Sequence, residues 1–283
     1  MKKLIWTAGI LLLAGTASGA APATELKLMS YNIRYIDAPG DEGEFAWEAR
    51  RESSITMIRR ERPDVIGFQE PKRPQLDYLI ERLPEYGHVE MGRDYGVKSD
   101  GGEHLMVMYL RDKYELLDWG YYWLSETPDR VSRGWDAMCR RVTVWVKLRD
   151  RDTDGKFYYF DTHLDHQGNT ARLEGAALNV AKMKQIAGKK APVFISGDMN
   201  AEFDTPTGRF LDPFMKWMKP ARNKAAESDD RATFNGFGKT GLHWLDHLFY
   251  RNARPLKYET LDGADYGVKY ISDHYPVVCI FKF

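Results

Sequence analysis

Short apolar runs with strand character alternate along this chain with runs of helical period, and several strand-like runs are joined by connections of hairpin length. Hairpin joins forbid a purely parallel sheet, whose neighbouring strands need long crossovers, so the pattern predicts an α/β fold with mixed sheets. Strands are expected at Leu26–Tyr35, Asp64–Phe68, Leu105–Leu110, Tyr114–Leu124, Val142–Leu148, Phe157–Thr162 and Pro192–Ile195. Three more are expected around Trp244–Tyr250, Lys257–Leu261 and Val277–Phe283. Helices are expected at Trp47–Arg60, Gln75–Leu83 and Thr170–Ile186, the last with apolar Leu173, Ala177, Val180 and Met183 on one face. There is no internal repeat and no Pro/Gly/Ser-rich linker, so residues 25–283 are expected to form one domain. The charged segment Lys219–Arg231 reads as an inserted surface loop.

The first twenty residues read differently. Lys2 and Lys3 precede an apolar run from Leu4 to Ala14, and Ser18-Gly19-Ala20 offers a cleavage site. The run is short for a bilayer span of ~20 residues. Residues 1–20 are therefore expected to be a signal peptide, which makes the mature chain secreted or periplasmic. Without it, 39 basic face 41 acidic residues. No general positive field then draws the protein to nucleic acid or to an anionic membrane, and a phosphate-bearing substrate has to be recognised locally. The two cysteines, Cys139 and Cys279, are either a pair formed in an oxidising compartment or two small buried residues.

The polar residues that carry chemistry recur at the ends of the apolar runs. Asn32 follows Leu28–Tyr31, Gln69 and Glu70 follow Val65–Phe68, and His163 closes Phe157–Thr162. Asp198 and Asn200 follow Val193–Ser196, Asp246 lies within Leu242–Tyr250, and Asp273 and His274 precede the last strand. Strand ends in layered α/β folds present polar groups at one rim. Taken singly, each residue reads as a cap or a turn. Together they form a set of carboxylates, amides and histidines with no nucleophilic Ser or Cys in a suitable setting, which suits phosphoryl chemistry. Oxygen ligands hold a hard cation, a carboxylate or imidazole deprotonates water, and donors stabilise charge on the phosphoryl oxygens.

The order and wording of these blocks resemble the endonuclease/exonuclease/phosphatase superfamily. The resemblance rests on Ser30-Tyr31-Asn32-Ile33-Arg34, Gly67-Phe68-Gln69-Glu70 and Thr162-His163-Leu164-Asp165, then on Gly197-Asp198-Met199-Asn200, Leu245-Asp246-His247 and Ser272-Asp273-His274. It implies a four-layer α/β/β/α sandwich of two mixed sheets, DNase I-like, with the site at the rim. It further implies Glu70 as the main metal ligand, with Asn32 and Asp273 as companions. Asp198 would orient or deprotonate the attacking water, supported by Asn200. His274, oriented by Asp246, would contact the scissile phosphate, and His163 would be a phosphate ligand or proton donor. Arg141 and Arg172 are candidate phosphate clamps, beside Asn32 as a substrate contact. Trp47, Arg50, Trp123 and Trp135 are candidate cleft residues. His247 is left out, because strand side chains alternate and it faces away from Asp246.

The cofactor implied is a divalent metal, Mg²⁺ first, with Mn²⁺ or Ca²⁺ as alternatives. The partner implied is a phosphate ester: nucleic acid, nucleotide, lipid or sugar phosphate. A nuclease-type phosphodiesterase ranks slightly ahead of a lipid or sugar phosphoesterase, and a monomer is expected. A non-catalytic module that keeps only the fold would have lost some of Glu70, Asp198, Asn200, Asp273 and His274, and all are present. A zinc site is disfavoured by the absence of suitably spaced histidines or cysteines.

Overall fold

A computed structural model describes residues 23–283; the expected signal peptide lies outside the described residues. Two mixed sheets pack face to face. The first contains β1 (Glu25–Asn32), β2 (Val65–Gln69), β3 (Tyr86–Gly92) and β4 (His104–Leu110). The second contains β5 (Tyr114–Trp123), β6 (Val142–Asp150), β7 (Lys156–His163) and β8 (Val193–Asp198). The C-terminal third adds β9 (Lys219–Pro220), β10 (Glu227–Ser228), β11 (Asp246–Arg251), β12 (Arg254–Thr260) and β13 (Val277–Lys282). The strand orders are β10-β12-β13-β1-β2-β4-β3 and β5-β6-β7-β8-β11-β9. Each sheet mixes parallel and antiparallel pairs, β1 with β2 and β7 with β8 being parallel. Of the short connections in the sequence, the one between β6 and β7 makes a hairpin, whereas those between β4 and β5 and between β11 and β12 carry the chain from one sheet to the other.

Helices α1 (Trp47–Glu61) and α2 (Arg73–Arg82) cover the outer face of the first sheet. Helices α3 (Asn169–Ala187) and α4 (Asp212–Trp217) cover the second. The four layers follow from alternation along the strands. In β7, Phe157 and Tyr159 point to the core between the sheets, while Phe160 points to α3 and α4. The sheets approach closely at Gly67, where a Cβ would collide with the Tyr159 hydroxyl and the Asp161 carboxylate.

Two expectations about elements need correction. Tyr86–Gly92 forms a strand that its sequence, with two glycines, a histidine and a glutamate, does not announce; it exists by pairing with β4 along its whole length. The segment Lys219–Arg231 is not a mere surface loop. It carries β9, paired with β11, and β10, paired with β12, so it strings the edge of one sheet to the edge of the other. Both cysteines are free thiols, Cys139 before β6 and Cys279 buried in β13. No helix among the described residues is long and apolar enough to cross a membrane.

Candidate active site

Strand register brings the polar strand ends together. Asn32 lies opposite Gln69, His163 opposite Asp198, and Asp246 opposite Asp198 on its other side. Residues paired across a ladder share a face, so His163, Asp198 and Asp246 all project toward the first sheet. There the Asn32 Nδ2 donates to Asp198 Oδ2 at 3.1 Å and to Glu70 Oε1 at 3.0 Å. Asn32 Oδ1 accepts from the Arg34 amide at 3.1 Å. With carboxylates on one side of the amide and an N–H on the other, the NH₂ faces the acids, and it has no lone pair for a cation. Asn32 therefore bridges two acids and accompanies Glu70 by holding its carboxylate through the NH₂ end.

Asp198 is the hub. Its Oδ2 lies 3.4 Å from His163 Nε2 and 3.7 Å from His274 Nε2, and its Oδ1 accepts the Asn200 amide at 2.9 Å. Burial pushes its carboxyl up; His274 pulls the other way, Asp246 pushes with burial, and the carboxyl settles at about 7. His274 Nδ1 bonds Asp246 Oδ2 at 2.7 Å. Burial alone would lower the imidazole, but Asp246 and Asp198 outweigh it and raise it to about 10, so it is held as a cation. His163 goes the opposite way: burial first, then Arg141 and Arg93, push it well down and keep it neutral. The two histidines thus stand in opposite charge states on either side of one carboxylate.

The other flank rests on turns. Glu70 follows β2 in a left-handed conformation (φ 75°). It faces Glu103, which immediately precedes β4, and Glu70, Glu103 and His163 each offer a ligand atom within 4.8 Å of the others. Glu103 is raised, first by burial and then by the Glu70 charge, although Arg93 Nη2 sits 2.6 Å away. A cavity of about 10 Å³, with room for one water or ion, lies among these residues and is walled by Arg93 and Arg141. Two crowded carboxylates and a neutral imidazole fit a hard divalent cation, which would relieve their repulsion.

Sequence reasoning missed Glu103; it stands at the end of the polar, glycine-rich run Ser99–Glu103, with no apolar strand before it to flag it. Asp273, expected as a metal ligand, is outside the acidic group. It faces Arg34 Nη1 at 3.4 Å and the Ser272 hydroxyl at 3.2 Å.

Arg172 is also corrected. Its guanidinium donates to the Asn200 carbonyl at 2.9 Å and to Asn169 Oδ1 at 2.8 Å and lies over the Phe210 ring, so it buttresses the Asn200 turn rather than clamping phosphate. Asn200 itself donates through Nδ2 to the Leu164 carbonyl at 3.0 Å. Arg141 does line the cavity, 3.1 Å from His166 Nδ1. Trp47 and Arg50 do not line a cleft. Trp47 is core, and Arg50 is a buried fastener whose Nη1 donates to the Ile33 and Ile271 carbonyls, at 3.1 and 2.8 Å. Trp123 is buried too, with Nε1 on the Arg93 carbonyl at 3.0 Å, and Trp135 is half-buried in the β5–β6 loop. His247 lies on the opposite face of β11, 2.7 Å from the Ala201 carbonyl.

The same six sequence blocks fall within residues 29–274, which match the Endonuclease/Exonuclease/phosphatase family. The chain belongs to that family. Solved relatives share the fold over nearly the whole length. An endonuclease/exonuclease/phosphatase from Bacteroides vulgatus is 31% identical with a TM-score of 0.83, covering 91% of this chain and 98% of its own. A mannosyl-6-phosphatase from Bacteroides thetaiotaomicron is 31% identical with a TM-score of 0.82, covering 91% and 100%. Among curated proteins, an uncharacterized mimivirus protein is 28% identical over 84% of this chain and 93% of its own. Family members are phosphoester hydrolases, and the two mixed sheets with outer helices are the DNase I-like sandwich.

Proposed function

We propose that this protein is an exported, divalent-metal-dependent phosphatase that removes phosphate from a small phosphorylated compound, with a sugar phosphate as the leading class. The observation that carries the reading is Asp198 set between a neutral His163 and a cationic His274 beside a pair of crowded acids. A carboxylate held near 7 can take a proton from water and return it at neutral pH. The His274 imidazolium, fixed by Asp246, supplies a donor for charge growing on the phosphoryl oxygens, and Arg141 supplies a second. Glu70, Glu103 and His163 would hold the cation, which supplies Lewis-acid polarisation when bound.

Two points favour a small substrate over a nucleic acid and reverse the ranking drawn from sequence. The β3–β4 and β5–β6 loops are tied together beside the cavity, through Trp123 on the Arg93 carbonyl and Arg140 Nη1 on Asp94 at 3.1 Å. The near-neutral mature charge supplies few backbone contacts for a polymer. The mannosyl-6-phosphatase relative points to the same class.

The test is phosphate release by the mature chain from mannose 6-phosphate and other sugar monophosphates, from oligonucleotides and from phospholipids, with Mg²⁺, Mn²⁺, Ca²⁺ or EDTA. Metal-dependent release from sugar phosphates is expected. Turnover of oligonucleotides alone, or undiminished turnover in EDTA, would overturn the reading. N-terminal sequencing of the protein recovered from the exported fraction should begin at Ala21.

A further inference from the structure

Consecutive arginines at the entry to β6 serve different spaces. Arg141 lines the small cavity with Glu70 and His163, whereas Arg140 lines a second cavity of about 450 Å³ on the other side of the tied loops. Arg93 lines both, so the two spaces share a wall. Four cationic side chains, Arg93, Lys98, Arg133 and Arg140, face the larger cavity, and Asp94 is the one carboxylate among its lining residues.

The cations are placed rather than merely gathered. Buried Asp94 holds Lys98 Nζ at 2.9 Å and Arg140 Nη1 at 3.1 Å, one on each oxygen. Asp165 accepts the Met138 and Cys139 amides, both at 3.2 Å, and so fixes the backbone that presents Arg140 from the same turn that follows His163. Arg93 spends one nitrogen on Glu103, while the exposed Arg133 forms no ion pair among the described residues. Like charges collected around one acid repel one another, and an anion in the cavity would relieve that repulsion.

We propose that this cavity is an anion subsite that takes a second phosphate of the substrate, making the preferred substrate a bisphosphorylated small molecule rather than a monophosphate. The proposal rests on the phosphatase reading of the adjoining site. Arg141 then addresses the phosphate to be cleaved and Arg140 the phosphate that is retained, with Arg93 between them.

The test compares mannose 1,6-bisphosphate with mannose 6-phosphate as probes, using the metal-loaded mature chain and the variants Lys98→Ala and Arg133→Gln. In the unmodified protein KM for the bisphosphate should lie about tenfold below that for the monophosphate, a difference of ~1.4 kcal/mol. Lys98→Ala, which leaves the Arg140–Asp94 tie between the loops in place, should remove much of the advantage while leaving kcat and KM for the monophosphate within about twofold. The exposed Arg133→Gln, which leaves the Asp94 pairs intact, should remove part of it. Equal KM values for the two probes in the unmodified protein, or equal losses on both in the variants, would overturn the subsite.

If no phosphoester is turned over, p-nitrophenyl phosphate included, the phosphatase reading fails. The subsite is then judged by calorimetry with inorganic pyrophosphate on metal-free protein. Binding weakened about tenfold by Arg140→Ala supports it, and absent or unchanged binding overturns it.

Discussion

His163, Asp198 and Asp246 reach the site from adjacent strands whose ladder sets them side by side, whereas Glu70, Glu103 and Arg93 stand on turns just beyond strand ends. On the strand-borne flank the main pair is made: His274 is charged and bonded to Asp246. On the turn-borne flank two carboxylates crowd a small cavity, and one of them, Glu103, is pushed up by burial and by its neighbour. On the proposed reading, proton handling falls to Asp198 and His274, and cation binding to the turn-borne acids together with His163 from β7. Each assignment can be broken separately.

The largest effect is expected at the hub. Asp198→Asn keeps the shape but cannot accept a proton, so kcat should fall by about 10³–10⁴-fold, while Mn²⁺ affinity, read by electron paramagnetic resonance, stays within about twofold. A large loss of metal affinity would merge the two flanks.

Asp246→Asn should lower kcat by about 10²-fold and remove the attraction that holds the proton on His274. Its imidazole should then titrate well below the present value of about 10, as followed by nitrogen-detected NMR on metal-free protein. The sign for stability follows. A folded-state pKa above the unfolded value of about 6.5 contributes stability that is full below that pH and is lost as pH rises through the folded pKa. The variant should show little of this dependence in urea midpoints between pH 6.5 and 10. An unchanged His274 titration would show that Asp246 is not its orienting partner.

Glu103→Gln is expected to act on the other flank, weakening Mn²⁺ binding by about tenfold while the His274 titration stays put. Metal affinity equal to that of the unmodified protein would remove Glu103 from the ligand set. The smallest effect is expected from Arg172→Ala, which loses the bonds that brace the Asn200 turn. Stability should drop by about 1–3 kcal/mol, with KM for substrate nearly unchanged. A selective rise in KM would restore Arg172 as a phosphate clamp.

The same contrast explains what the sequence made legible. Glu70, His163 and Asp198 announce themselves where an apolar run stops at a polar residue, Asp246 and His274 through the fixed order of the blocks, and the structure brings all five to one rim. Glu103 and the Arg140 side of the wall lack that signal, since their positions depend on a long-range tie between loops. β3 was missed for a related reason. Its alternating Val89 and Met91 are too few to show a period, and only the partner strand makes it regular. Asn32 is legible as a strand-end amide, but which end of the amide faces the acids is not, because that is decided by Glu70 beyond the neighbouring strand and by Asp198 from the opposite sheet.

That last contact has a consequence for how the protein could lose activity. One amide group, rooted in the first sheet, grips a carboxylate from the second, so the gap between the sheets gauges the spacing of the reactive groups. An alanine at Gly67, two residues below the Asn32–Gln69 pair, would act as a shim against Tyr159 and Asp161. The rim would widen while the sandwich stayed assembled, and turnover would fail at temperatures where the backbone ladders were still whole.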